Sequence, residues 1–338
     1  MTAYPKFLPA SAARRFTSDP ARWLMRARSP LVRYRTAVDL LAWPPDSPEA
    51  AALWAQRHED ADVQAVMEGR GDDGLWRAPE ALYRRGDGLY VPRFRATVWQ
   101  MPLFADWGFP AEEPAVAPAV EALLGRRTDD GFFELAAGGP TLFGNALVAS
   151  SLSRLGVPAG ELAGVRAWLA ARQRADGGWA DPLELASAEA PSTVATTAEV
   201  LRALGAEGGE AARRGLDYLR DNFFTEYNGR FPQSARPWRR FSWPQYNYDA
   251  LSVATAMLEA GASAAELAPL AEAVAELQTR RGFWRQQLPF GEPGWLEPVR
   301  AGRASRWITF RAAAFLLRYY DLNPEEGVAA GADINYNR

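Results

Sequence analysis

Two kinds of apolar stretch alternate along the chain. The first kind is small and apolar on almost every side: Phe94–Trp107, Leu142–Leu155, Thr193–Leu204, Tyr248–Ala260 and Ile308–Tyr320, with residues 31–42 as an earlier member. The second kind carries one apolar stripe and one charged face: Pro114–Arg126, Leu162–Arg172, Glu210–Asp221 and Glu266–Thr279. A helix that is apolar all round is buried, whereas a striped one covers it from outside. No segment shows the period-two alternation of a half-buried strand. The pattern predicts an all-α protein in which buried and covering helices alternate about six times.

The punctuation agrees with the pattern. Ser29-Pro30 and Ser47-Pro48 are helix starts, with serine at the cap and proline in the first turn. Buried stretches end at Gly108, Gly156, Gly205 and Gly261. Each covering stretch runs into a glycine–aromatic turn. The clearest is Gln173-Arg174-Ala175-Asp176-Gly177-Gly178-Trp179, with copies at Asp72–Trp76, Asp129–Phe133 and Gln278–Trp284 and a weaker one at Asn228–Phe231. In such a turn the glutamine reaches helix-end carbonyls, glycine takes positive φ without strain, and the aromatic folds back on the helix it has left. Repeats of this kind stack helix pairs and close into a double ring. Long loops at Pro79–Arg93, Asn228–Pro244 and Pro289–Ser305 lead into starts of buried helices. They are expected to shape a mouth at that end of the ring.

Composition narrows the chemistry. The chain has 338 residues, 48% hydrophobic, with a net charge of −3, so no basic face invites nucleic acid. It has no cysteine and one histidine, His58, within the charged run Gln56–Asp60. Thiolate catalysis, Cys-ligated zinc and Ser-His triads are excluded. No apolar run has the length of a signal peptide core or a membrane span, so a soluble, cytoplasmic protein is expected. Thirteen tryptophans are many, and they fill a repeat core or line a cavity.

Gln-x-x-Asp-Gly-Gly-Trp at 173–179, with its copies, resembles the QW repeat of the squalene cyclase and prenyltransferase superfamily. Ser29–Tyr34, Tyr246–Leu251 and Ser305–Arg311 look like a group of single-domain bacterial toroids of that superfamily. The resemblance implies an (α/α)6 toroid over residues 29–323, preceded by an arm and short helix at 1–28 and followed by a tail at 324–338. It further implies an isoprenoid-handling enzyme, an isomerase or lyase, with acid-initiated carbocation chemistry in a central aromatic cavity and no cofactor. The expected partner is a hydrophobic small molecule, a prenyl diphosphate among the candidates. One departure matters. Where class II cyclases of the superfamily carry Asp-x-Asp-Asp-Thr-Ala, this chain reads Thr193-Val194-Ala195-Thr196-Thr197-Ala198, and the acid position is Ala195. The cysteine and histidine of the zinc-dependent protein prenyltransferases are missing as well.

The residues leave several readings open. Asp249 opens a buried helix in the register of Thr193, so it is an acid in an aromatic pocket or a helix cap. Arg95 and Arg311 sit inside apolar helices, where they bind an anionic head or pair with carboxylates. Trp99, Phe143, Tyr246, Tyr248 and Trp307 either stabilise cations or pack. Asn145 and Thr196 contact substrate or satisfy neighbouring helices, and Glu199 needs a buried partner. Two functions of other classes stay open: a non-catalytic toroid binding a ligand or protein, and a carbohydrate-active (α/α)6 barrel in which Asp249 works with Glu297 or Asp87.

Overall fold

In a computed structural model the chain is a closed double ring of helices. The structure describes residues 4–77, 88–91, 94–135, 139–184, 187, 189–224, 227–228, 231–232, 237–244, 248–288, 295–296 and 299–322. The helices are α1 (Ala10–Ala13), α2 (Pro20–Leu24), α3 (Pro30–Arg35), α4 (Pro48–Ala55), α5 (Ala61–Glu68), α6 (Thr97–Trp107), α7 (Ala117–Leu124), α8 (Leu142–Arg154), α9 (Ala159–Ala170), α10 (Val194–Leu204), α11 (Gly209–Asp221), α12 (Ala250–Glu259), α13 (Ala264–Glu276) and α14 (Arg306–Leu322). A two-residue antiparallel pair, Tyr227–Asn228 with Phe231–Pro232, is the extended element among the described residues.

The inner ring runs α3, α6, α8, α10, α12, α14, each packed on the next, and α14 closes it against α3. Outside it, α4 lies on α3, α9 on α8, α11 on α10, α13 between α12 and α14, and α2 on α14. This is the (α/α)6 toroid expected from the alternation of apolar and striped stretches. One inner helix differs from expectation. Residues 31–42 do not form one α-helix: α3 ends at Arg35 and a π turn spans Thr36–Leu40, followed by Ala42 at φ 53°. The Thr36 hydroxyl donates to Val32 O at 2.7 Å, a local bond of the kind that bends helices.

The turns that join outer to inner helices carry a second device. Trp76, Trp179 and Trp284 are fully buried. Their indole N–H groups donate to Val66 O, Leu169 O and Val274 O, at 2.7, 2.8 and 2.7 Å, closing over the helix just left. Each buried indole contributes about 4–6 kcal/mol of gross apolar burial. The same turn is then latched to the next inner helix. Thr197 Oγ1 accepts from Trp179 N at 2.9 Å and donates to Trp179 O at 3.2 Å. Thr97 and Thr309 accept likewise from Trp76 N and Trp284 N, both at 3.0 Å. Asn145 does the same work at Phe133, accepting at 2.6 Å and donating at 3.2 Å. Asn145, Thr197 and Thr309 are the fourth residues of α8, α10 and α14. The fourth residue of α12 is Val253, which has no hydroxyl or amide to form such a latch.

Gln173 completes the strongest copy. Its amide donates to Gly177 O and to Ala211 O, both at 2.8 Å, tying the end of α9 to the start of α11. Gly177 has φ 88°, and a Cβ there would lie 2.8 Å from Arg214 O. No helix among the described residues is long and apolar enough to cross a membrane.

Candidate functional site

Because the inner helices run parallel, their first residues ring one end of the toroid and their last residues the other. The middle of the ring is filled. Trp99 stacks on Phe143 with ring centres 6.0 Å apart, and Tyr248 meets Phe143 edge-on at 6.1 Å. Tyr90 and Phe94 close over Trp99. Just below these rings lies a void of about 30 Å³, room for about one water. Aromatic rings thus occupy the centre near the leading ends, and the larger open space on the axis lies at the other end.

Polar groups below these rings form a buried network. Glu199 accepts from Ser150 Oγ and Tyr248 Oη, both at 2.5 Å, and from Arg202 at 2.9 Å. Arg202 also reaches Glu259 and Ser252 O, both at 3.1 Å. Asp106 pairs with Arg154 and lies 4.0 Å from Arg311. Burial works against the Asp106 charge, yet Arg154 and Arg311 outweigh it and hold the carboxyl below its usual range. Burial and Glu199 together push the Tyr248 phenol well up. The lowered pKa favours the ionised form of Asp106, which suits it to binding and not to proton donation.

Asp249 caps α12. Its Oδ1 accepts from Ser252 N at 2.9 Å and Ser252 Oγ at 2.8 Å, forming a capping box. Burial raises its pKa to about 6, against these hydrogen bonds and the charge of Arg311. It lines none of the three hollows described here. Thr196 is also committed elsewhere, donating to Glu184 Oε2 at 2.8 Å, and Asn145 is spent on the Phe133 latch. Arg95 lies over the Trp295 ring at 5.2 Å, away from these hollows. Of the expected site residues, Trp99, Phe143, Tyr248 and Arg311 meet at the axial void. Trp307 faces a different space, and Tyr246, Glu297 and Asp87 lie outside the described residues.

That different space is the largest of the three hollows, about 580 Å³, set off-axis at the leading ends of α3, α5 and α14. Trp23, Trp243 and Trp307 supply aromatic faces, and Val32, Leu296 and Val299 supply apolar wall. Trp243 and Trp307 stack at 5.4 Å. Glu59, Asp60 and Asp62 line it, and the two aspartates have different duties. Asp60 caps α5 through Asp62 N at 3.1 Å and accepts the Ser29 hydroxyl. Asp62 accepts one bond, from Trp307 Nε1 to Oδ2 at 3.0 Å, which leaves Oδ1 without a donor among the described residues. Burial raises the Asp62 pKa and Asp60 adds to the rise, while the Trp307 bond and Arg306 oppose it. Arg28 and Arg306 line the same space. Burial and the charge of Arg28 pull Arg306 below its ordinary value, and its guanidinium lies over the Trp23 ring at 5.8 Å.

Reading the sequence alone misses Asp62, Arg28 and Trp23. Glu59-Asp60-Ala61-Asp62 reads as a solvated helix start, and Arg28 as the residue before a cap. The available signal was a pair of acids at one helix start in the first repeat. Nothing local shows that Trp307, 245 positions away, covers Asp62.

No known protein family matches the sequence, and no curated protein matches it. Among solved structures, the chain is similar to the type II terpene cyclase MstE from Scytonema, at 15% identity over 90% of this chain and 88% of that one, TM-score 0.45. It is also similar to a protein from Actinoplanes, at 18% identity over 93% and 98%, TM-score 0.44. A third is the ent-copalyl diphosphate synthase from Streptomyces platensis, at 17% identity over 88% and 58%, TM-score 0.38.

Proposed function

We propose that this toroid is an isoprenoid-handling isomerase of cyclase type, acting in the off-axis hollow at the leading ends, with Asp62 as its acid. The observation that carries the reading is Asp62 itself: a carboxyl whose pKa burial raises, one oxygen oriented by Trp307, in the lining of a space walled by tryptophan. A hollow of about 580 Å³ falls within the usual range for a small-molecule site. In the proposed reaction Asp62 gives its proton to one carbon of a substrate alkene, leaving a cation on the more substituted carbon. The faces of Trp23, Trp243 and Trp307 stabilise that cation. A neighbouring alkene closes the ring, and loss of a proton to the Asp62 carboxylate ends the sequence, so product and substrate are isomers. Arg28 and Arg306 are placed to hold a diphosphate or other anionic head.

Incubation with geranyl, farnesyl and geranylgeranyl diphosphate, followed by mass and retention analysis, tests the reading. The expected result is a product of unchanged mass that disappears in Asp62→Asn. Binding without any product, equally strong in Asp62→Asn, would support the second reading, a non-catalytic ligand-binding toroid. That second reading draws on the filled axis, where Glu199, Arg202, Asp106 and Arg154 are paired among themselves. Absence of both binding and turnover would sink the first.

A further inference from the structure

The opposite end of the ring holds a second hollow, about 320 Å³, which the proposed chemistry does not use. It lies at the trailing ends of the inner helices. Arg35, Arg154, Arg202, Arg311 and Arg318 line it, with Asp106 and Glu259 between them. Glu199 and Asp39 balance Arg202 and Arg35 from outside the lining, which leaves one guanidinium in excess. We propose that this hollow is a binding site for a small amphiphilic oxyanion, a carboxylate or phosphate carried on a short apolar body, built around Arg311.

The donors show why Arg311 is the centre. Trailing helix ends expose carbonyls, and arginines there commonly serve to cover them. Arg35 does so at Asp106 O, at 2.8 Å, and Arg202 is spent on Glu199, Glu259 and Ser252 O. Arg154 is spent on Asp106. Arg311 covers nothing. Its side chain is 12% exposed, the nearest carboxylate oxygen is 4.0 Å away, and no hydrogen bond leaves its guanidinium among the described residues. It rests over the Trp243 ring at 5.9 Å and borders both this hollow and the small axial void. A buried guanidinium without acceptors is costly, and a bidentate oxyanion would supply them. Burial lowers the Arg311 pKa despite Asp106, consistent with a charge that is under-compensated when the hollow is empty of anion. Arg318 lies two turns further along α14 on the same face, at the rim. Phe310, Ala314, Phe315 and Leu258 give the hollow its apolar side, so an apolar body is matched along with the charge.

The test uses the full chain with four probes: hexanoate, hexyl phosphate, inorganic phosphate and hexanol, read by calorimetry and thermal unfolding. Hexanoate or hexyl phosphate is expected to bind and raise the unfolding temperature, with affinity falling as salt rises, while hexanol does neither. The relative strength of hexanoate and hexyl phosphate assigns the headgroup. Arg311→Met is expected to weaken binding at least tenfold and to leave the ligand-free protein as stable as before. Arg318→Gln, on the exposed rim, should weaken binding several-fold without affecting folding. Arg281→Gln, on the surface away from both hollows, should leave binding unchanged. The proposal is overturned if neither amphiphilic anion binds better than hexanol, or if Arg318→Gln and Arg281→Gln weaken binding equally. Prenyl diphosphate turnover is a separate readout, so failure here leaves the Asp62 site standing, and the reverse holds too.

Discussion

The two ends of the ring treat carboxylates in opposite ways. At the leading end Asp62 is buried beside Trp307 and a second acid, and its pKa rises. At the trailing end Asp106 is buried more deeply, yet its pKa falls, because Arg154 and Arg311 stand against it. Depth of burial therefore does not decide which acid can hold a proton; the number and distance of guanidiniums do. One scaffold thus raises the pKa of a buried acid at one mouth and lowers that of another at the other.

The sharpest way to break this contrast is to remove Arg202. It holds Glu199 and Glu259 together, so Arg202→Ala should leave Glu199 buried with only Ser150 and Tyr248 for partners and cost about 3–5 kcal/mol. Arg306→Gln at the leading end should change stability by no more than about 0.5 kcal/mol. Denaturant midpoints of the two variants compare them directly, and equal losses would erase the distinction drawn here. Next in size, Asp62→Asn should lower cyclisation of a prenyl diphosphate by about 10²-fold or more with folding intact. The wild-type rate should fall as pH rises through the elevated Asp62 pKa, because the acid must be protonated. A rate that instead climbs with pH would assign Asp62 the role of a base.

Asp249 gives a subtler comparison, since it too is a leading-end acid with a raised pKa but has no hollow to serve. Between about 3.8 and about 6 the folded chain binds a proton that the unfolded chain has lost. This contribution to stability is present below that window and disappears as pH rises through it, by roughly 3 kcal/mol. Asparagine caps a helix as well as aspartate, so Asp249→Asn should flatten that part of the stability–pH curve and leave turnover unchanged. Loss of turnover with a retained fold would return Asp249 to the chemistry. Smaller still, Thr197→Val should unlatch Trp179 and cost about 1–3 kcal/mol through an unsatisfied buried N–H. The matched change Val253→Thr on α12, where the latch is missing, should bring no comparable shift in unfolding temperature.

Particular residues show how far the sequence reaches. The order, ends and layer of nearly every inner helix follow from apolar period, Ser-Pro starts and terminal glycines, because these act within a few residues of chain. The indole that folds back on its own helix is equally local, and so is the Asp249 cap. The π turn at Thr36–Leu40 was hidden, since the residues around it read as ordinary helix. For Asn145 and Thr196 the sequence left two readings open, and the structure gives them partners within the protein: polar residues in apolar helices signal a partner without saying whether it is ligand or protein.

By itself, then, the sequence determined the alternation of buried and covering helices and the closed ring they make, since each helix must bury its apolar face against the next. Tertiary structure decided where space remains. Whether aromatics such as Trp99, Phe143 and Tyr248 enclose a cavity or stack on one another depends on distances across the ring, between residues far apart in the chain. The same holds for the carboxyls. Asp62 and Asp106 look alike in sequence, and what separates them is which groups the closed ring brings within reach: an indole and a second acid for one, two guanidiniums for the other.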